Sequence, residues 1–127
     1  MSENSLIAVV DDDEAIREAT ESLIRSVGFR AVVFASAEDF LRSGHLQDTR
    51  CLIVDVRMPG MSGLELQQQL ATANYSIPII FITAHGDADT RARALRAGAV
   101  AFLDKPFSDE VLLRAVQAAL QSSCGGV

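Results

Sequence analysis

Lysine, cysteine and long apolar runs are scarce in this sequence. Lys105 is the only lysine, and the other ten cationic side chains are arginines. The two cysteines, Cys51 and Cys124, have neither metal-binding nor redox spacing. Cys51 lies in an apolar run, which predicts a buried thiol in a reducing, cytosolic setting. No apolar run approaches the ~20 residues that a membrane span needs, so no membrane association is expected.

Basic residues are also fewer than acidic residues. Seventeen Asp and Glu residues face eleven Lys and Arg residues, a net charge of −6. This balance argues against electrostatic capture of nucleic acid by this segment. The first five residues are polar and acidic, unlike a secretory signal, so we expect a cytoplasmic protein. A chain of 127 residues, 49% hydrophobic and 22% charged, is typical of one globular domain.

What the sequence does contain is a regular alternation of short apolar runs and helical patterns. The runs predict strands at residues 6–10, 30–34, 51–55, 78–82 and 99–103. Helices are predicted between them and after the last strand, with Asp13, Ser36, Ser62 and Ser108 as N-caps. Strands that are apolar almost throughout are typical of a parallel sheet covered on both faces. Right-handed crossovers then give a doubly wound α/β sandwich.

The first predicted helix, over residues 14–27, shows an apolar stripe at spacings of three and four. The stripe consists of Ile16, Ala19, Leu23, Ile24 and Val27. These positions are expected to face the sheet.

Polar side chains follow four of the five predicted strands. Asp11 and Asp12 follow the first, Asp55 ends the third, Thr83 follows the fourth and Lys105 follows the fifth. Ligands of such sheets bind at the carboxyl ends of the strands, so we expect these groups to converge. Three carboxylates repel one another and favour a hard cation, Mg²⁺ or Mn²⁺. A hydroxyl and an ammonium beside them suit a phosphoryl group.

Four motifs in this order resemble the receiver domain of response regulators, over about residues 6–120. They are the Asp11-Asp12 pair, Asp55 with Met58-Pro59-Gly60, Thr83-Ala84, and Lys105-Pro106-Phe107. The amino-acid sequence of residues 83–87 and 97–107 is most similar to that of the nitrogen-fixation-regulator, FixJ-like branch of the family. The resemblance implies a flavodoxin-like (βα)5 fold with strand order 2-1-3-4-5. Residues 1–122 would be the receiver, and 123–127 a tail or the start of a linker.

The resemblance also implies how the site works. Asp55 would accept a phosphoryl group from a sensor histidine kinase, and Lys105 would pair with the phosphoryl oxygens. Asp12 and Asp55 would bind Mg²⁺ directly, with the backbone carbonyl of Arg57 as a further ligand and Asp11 acting mainly through water. Such a chain is a switch and not a turnover enzyme.

Further roles are implied for residues around the acceptor. Thr83 would turn towards the phosphoryl group, and Phe102 would move into the space that Thr83 leaves. Arg57 and His85 would modulate the lifetime of the phosphate. The Lys105–Pro106 peptide bond would be cis.

The resemblance implies an output through the fourth helix, fifth strand and fifth helix. Phosphorylation would promote homodimerisation and so control a DNA-binding domain C-terminal to this chain. A stand-alone receiver that acts by protein contacts is the alternative. The basic helix surface of Arg91, Arg93 and Arg96 is either a solvated face or part of this interaction surface.

Two other function classes stay open. A Mg²⁺-dependent phosphatase with an aspartate nucleophile would place a second acid two residues after it, where this chain has Arg57. A degenerate receiver that only docks partners is disfavoured by the full set of acids, Thr83 and Lys105.

Overall fold

Five strand–helix units build one parallel sheet with helices on both faces. A computed structural model describes residues 5–84 and 86–125. The elements are β1 (Leu6–Val10), α1 (Glu14–Ser26), β2 (Arg30–Phe34), α2 (Ala37–Arg42), β3 (Thr49–Asp55), α3 (Gly63–Thr72), β4 (Ile79–Thr83), α4 (Ala88–Arg96), β5 (Ala101–Asp104) and α5 (Asp109–Gly125). The strand order is β2-β1-β3-β4-β5, which confirms the predicted doubly wound fold.

The core lies in two layers because side chains alternate across the sheet. From the central strand β3, Cys51 and Ile53 pack with residues of α1 and α5, whereas Leu52 and Val54 pack with residues of α2, α3 and α4. The inward residues of β3 are fully buried, as the continuous apolar run predicts. The predicted burial of the Cys51 thiol is thereby confirmed.

The predicted helix caps are present. The Asp13 carboxylate accepts hydrogen bonds from the backbone N–H groups of Ala15 and Ile16 at the start of α1. Ser62 and Glu65 form a reciprocal capping box at the start of α3, with bonds of 3.1 and 2.8 Å. These caps fix the positions at which the chain, having left the carboxyl edge of the sheet, begins a helix.

The predicted stripe of α1 is wrong at two positions. Ala19 and Val27 are exposed, while Thr20 is buried. The buried face runs from Ile16 through Thr20 to Ile24, four residues apart, and Val27 is the C-cap beyond the helix. Apolar spacing alone did not reveal this face because a small threonine occupies its centre.

The last two strands begin later than predicted. β4 and β5 pair residues 80–83 with residues 101–104, so that Thr83 is the last residue of β4 and lies opposite Asp104. Helix α5 continues to Gly125, and the division of the chain at residue 122 stays a prediction. Within the described residues, no helix has the length and apolar character that a membrane crossing requires.

Candidate functional site

Three acidic side chains meet at the carboxyl edge of the sheet. Val10 pairs with Val54, so the residues that follow them, Asp11 and Asp55, lie side by side. Carboxylate oxygens of Asp11, Asp12 and Asp55 all lie within 4.8 Å of one another. Asp11 and Asp55 are buried, and Asp12 is exposed to solvent. The convergence predicted from the strand ends is therefore present in the structure.

Lys105 joins two of these acids. Its Nζ donates to Asp11 Oδ2 and to Asp55 Oδ2, each at 3.0 Å. Burial acts to lower the pKa of Lys105, but its hydrogen bonds to Asp11 and Asp55 outweigh burial and raise the pKa above the usual value. The ammonium is therefore charged at neutral pH. The Lys105–Pro106 peptide bond is cis, as the resemblance implies.

Asp11 is fixed at three of its atoms. Its Oδ1 accepts from the Asp13 N–H at 2.9 Å, its Oδ2 accepts from Lys105, and its backbone carbonyl accepts from Arg17 Nη1 at 2.8 Å. Burial raises the pKa of Asp11 despite the opposing effects of the Asp13 N–H and Lys105. Sequence reasoning missed Arg17, since a polar residue on a helix gives no sign of reaching back over the preceding loop.

The loop after β3 is bound to its surroundings on both sides. The Arg57 N–H donates to Asp55 Oδ1 at 3.1 Å, while the Arg57 side chain is exposed to solvent. The Met61 N–H donates to Glu38 Oε2 of α2 at 3.2 Å. Neither Glu38 nor its contact with this loop was predicted, because the two residues are 23 positions apart.

Gly63 is a close-approach position beneath Asp55. A Cβ added there would lie 2.5 Å from the Asp55 carbonyl oxygen and 3.1 Å from the Phe81 ring. The Gly63 N–H donates to the Val56 carbonyl at 2.9 Å, which closes the loop against the end of β3. The sequence indicated a capping box here, but not the steric requirement for glycine.

Both residues of the predicted switch are buried beside a second glycine. Thr83 is 1% exposed and Phe102 is 5% exposed. A Cβ on Gly86 would lie 2.9 Å from Thr83 Cγ2 and 2.7 Å from the Phe102 ring. Thr83 and Phe102 therefore both lie against the face of Gly86 from which a side chain would project. His85, the predicted modulator, lies outside the described residues.

Arg91 is neither simply solvated nor free for partners. Its guanidinium donates to the Phe102 carbonyl at 3.2 Å and to Asp104 Oδ2 at 3.0 Å. The two other arginines of the predicted basic surface, Arg93 and Arg96, are exposed. The sequence did not decide between a solvated face and an interaction surface, because Arg91 and its partner Asp104 are 13 positions apart.

The acidic edge fits a small hard cation. Three carboxylates converge here, and one ammonium contacts two of them, so negative charge is left in excess. All the convergent donors are oxygens, the ligand type that Mg²⁺ and Mn²⁺ prefer. The exposed Asp12 places one of these oxygens on the solvent side, where a hydrated ion can enter.

A five-stranded parallel sheet that gathers three acids, a threonine and a lysine at one edge defines a receiver-type site. Residues 7–117 match the response regulator receiver domain family, and the chain belongs to it.

Relatives and solved structures agree with this assignment. Nodulation protein W of Bradyrhizobium diazoefficiens is 49% identical over 94% of this chain and 53% of its own length. The transcriptional regulatory protein FixJ of Azorhizobium caulinodans is 41% identical over 97% of this chain and 58% of its own length. The structure of the response regulator StyR has a TM-score of 0.88 at 47% identity, over 94% of this chain and 61% of that one. The chain thus spans about half the length of the curated relatives it matches.

Proposed function

We propose that this chain is a phosphoryl-accepting switch and that Asp55 is the acceptor. One carboxylate oxygen of Asp55 attacks the phosphorus of a phosphohistidine on a sensor histidine kinase. The phosphorus–nitrogen bond breaks as the acyl phosphate bond forms, and the histidine leaves with the electron pair. The observation that carries this proposal is the position of Asp55, which is 7% exposed, paired with Lys105 at 3.0 Å and beside two further acids.

The acids around Asp55 are the proposed cation ligands. The carboxylates of Asp11, Asp12 and Asp55 and the backbone carbonyl of Arg57 would hold Mg²⁺ or Mn²⁺. When bound, the ion supplies positive charge against the oxygens of the transferred group. The excess of carboxylates over the single ammonium supports this assignment.

The chain's own cation and hydroxyl complete the site. Lys105 is charged and already contacts the Asp55 carboxylate, so it can follow the phosphoryl oxygens with little movement. Thr83, at the end of the neighbouring strand, would hydrogen-bond the new group. Phe102 would then move into the space that Thr83 leaves, which would couple the charge change at Asp55 to α4 and β5. Arg57 and His85 would tune the lifetime of the phosphate.

The output of the switch is proposed from the relatives. FixJ is a transcriptional regulatory protein, and this chain spans 58% of its length. We infer that phosphorylation controls a DNA-binding domain C-terminal to this segment, through homodimerisation at α4 and β5. Action by protein contacts alone is the alternative. In either case the kinase and the receiver would meet in the cytoplasm.

Intact-mass measurement after incubation with acetyl phosphate and Mg²⁺ tests the acceptor. The unaltered chain is expected to gain about 80 Da, the mass of one phosphoryl group. The Asp55→Asn variant should gain nothing and keep its fold by circular dichroism. Asp48→Asn, an exposed acid before β3, is the matched control and should be phosphorylated normally.

Two results would overturn the proposal. The first is an adduct on Asp55→Asn, which would place the acceptor elsewhere. The second is steady release of phosphate from small phosphoesters, which would favour the Asp-nucleophile phosphatase.

A further inference from the structure

One arginine joins α4 to β5 at the predicted switch residue. The Arg91 guanidinium donates to the Phe102 carbonyl at 3.2 Å and to Asp104 Oδ2 at 3.0 Å. Its Cζ also lies 4.9 Å from the centroid of the Phe102 ring. A single side chain thus contacts the ring of Phe102, its backbone, and the carboxylate two residues further along β5.

These contacts reinforce one another. The Arg91 and Asp104 side chains are 44% and 55% exposed, so their ion pair alone is weak. A planar guanidinium can stack on a ring while its edge donates to a carbonyl and a carboxylate, which an ammonium cannot do. The stacking adds a cation–π attraction to the two hydrogen bonds. The stacking is made with the Phe102 ring itself, and the two hydrogen bonds hold the guanidinium beside that ring.

Apart from Arg91, helix α4 makes few buried contacts with the rest of the domain. Of its nine residues, Ala94 is the buried one. The Ala94 carbonyl accepts a hydrogen bond from Gln67 Nε2 of α3 at 3.2 Å. Few buried apolar side chains attach α4, and the Arg91 contacts add to its attachment to β5.

Phe102 is held from the other side as well. Its ring packs 6.2 Å from that of Phe81, and Gly86 leaves no room for a side chain between the ring and Thr83. The ring therefore occupies a defined buried position. Arg91 closes this position on the helix side.

We propose that Arg91 is a positioning residue that sets the equilibrium of Phe102 between a buried and an exposed position. The inference rests on the proposed function insofar as burial of Phe102 accompanies phosphorylation of Asp55. Contacts that stabilise the buried ring then raise the apparent affinity for a phosphoryl mimic in proportion to the fraction of protein with the ring buried. Removing Arg91 makes the switch harder to turn on, although Arg91 touches none of the reacting atoms.

Fluorine NMR of protein labelled with 4-fluorophenylalanine tests this in the absence of any phosphodonor. The Phe102 signal is assigned by its loss in Phe102→Leu. Arg91→Ala is expected to lower the ratio of buried to exposed ring by about three- to tenfold. Arg93→Ala, which removes the same charge from the same helix, should leave the Phe102 signal unchanged.

Two further variants separate positioning from a general loss of structure. Arg91→Lys keeps the charge and should restore only part of the buried population, because the flat stacking is lost. Asp104→Asn should act in the same direction as Arg91→Ala. The double variant should be little worse than Arg91→Ala alone, because both changes remove one shared interaction. Beryllofluoride, a phosphoryl mimic, should bind Arg91→Ala more weakly by the factor by which the fraction of buried ring falls.

An unchanged Phe102 signal in Arg91→Ala would overturn the inference, even with normal phosphorylation of Asp55. Equal effects of Arg91→Ala and Arg93→Ala would also overturn it. Failure of the proposed function would look different: Asp55 would gain no mass, whereas the ring populations could still respond to Arg91.

Discussion

At the scale of single residues, Lys105 shows why the chain uses its one lysine where it does. Its Nζ reaches an oxygen of Asp11 and an oxygen of Asp55, each at 3.0 Å. A compact ammonium can sit between two carboxylates, whereas a planar guanidinium would need more room and a fixed orientation. The ten arginines elsewhere indicate that the chain favours arginine wherever this constraint is absent.

The Asp12 carboxylate is expected to lower the free energy of unfolding, although it is one of the proposed cation ligands. Its carboxylate is exposed and lies within 4.8 Å of oxygens of both Asp11 and Asp55, and Lys105 contacts only those two. Replacing Asp12 with Asn should raise the free energy of unfolding by on the order of 1 kcal/mol without divalent cations, because like-charge repulsion is relieved. Urea denaturation monitored by circular dichroism measures this change.

The same variant should respond less to metal. Mg²⁺ bound at the proposed site would stabilise the folded state, and weaker binding would stabilise it less, so the effect of Mg²⁺ on the melting temperature should shrink in Asp12→Asn. Asp48→Asn removes an exposed charge away from the site and should alter neither quantity. A destabilised Asp12→Asn would show that repulsion among the acids is already offset in the folded chain.

At the scale of elements, the start of α3 and the end of β3 are fitted to each other through Gly63. Alanine there would gain helix propensity but place its Cβ 2.5 Å from the Asp55 carbonyl oxygen. We expect Gly63→Ala to lower the free energy of unfolding by about 2 kcal/mol and to slow phosphorylation, since the backbone of Asp55 must shift. Urea denaturation and the rate of mass gain with acetyl phosphate measure the two effects.

Gly98→Ala is the matched control for Gly63→Ala. Gly98 has a φ of +105° and open space around its Cβ position, so alanine there introduces backbone strain without a clash. It lies after α4, away from the site. It should lower stability without changing the rate of phosphorylation; equal slowing in both variants would show that stability alone sets the rate.

The elements also show what the sequence could and could not reveal. The apolar runs predicted the five strands, and the polar residues that follow them predicted the meeting of Asp11, Asp55 and Lys105, because parallel strands end at one edge. Contacts such as the one between Glu38 and Met61 could not be predicted from the sequence. They join loops and helices whose approach depends on crossover geometry, which residue spacing does not encode.

At the scale of the whole molecule, Cys51 reports on the integrity of the sheet. It lies fully buried in the central strand, and burial raises the pKa of its thiol to about 12. In a Cys124→Ser background, Cys51 should resist a thiol reagent at mildly alkaline pH and react fully in concentrated urea. The rate of reaction in buffer should follow global unfolding, since β3 is paired on both sides.

Rapid labelling of native Cys51 would contradict this expectation. It would mean that the centre of the sheet opens without the rest of the molecule. Mg²⁺ bound at the proposed site would favour the folded state, so adding it should slow the labelling further.

The ion pairs of Lys105 have a consequence for the protein during its synthesis. Asp55 leaves the ribosome 50 residues before Lys105, and Asp11 leaves 94 residues before it. A nascent chain therefore carries its acids long before it carries their counter-charge, and β5 is the last of the five described strands to be made. The cluster of acids and lysine is therefore complete only once β5 and Lys105 have been made, and a chain cut short before them would carry the acids without their counter-charge.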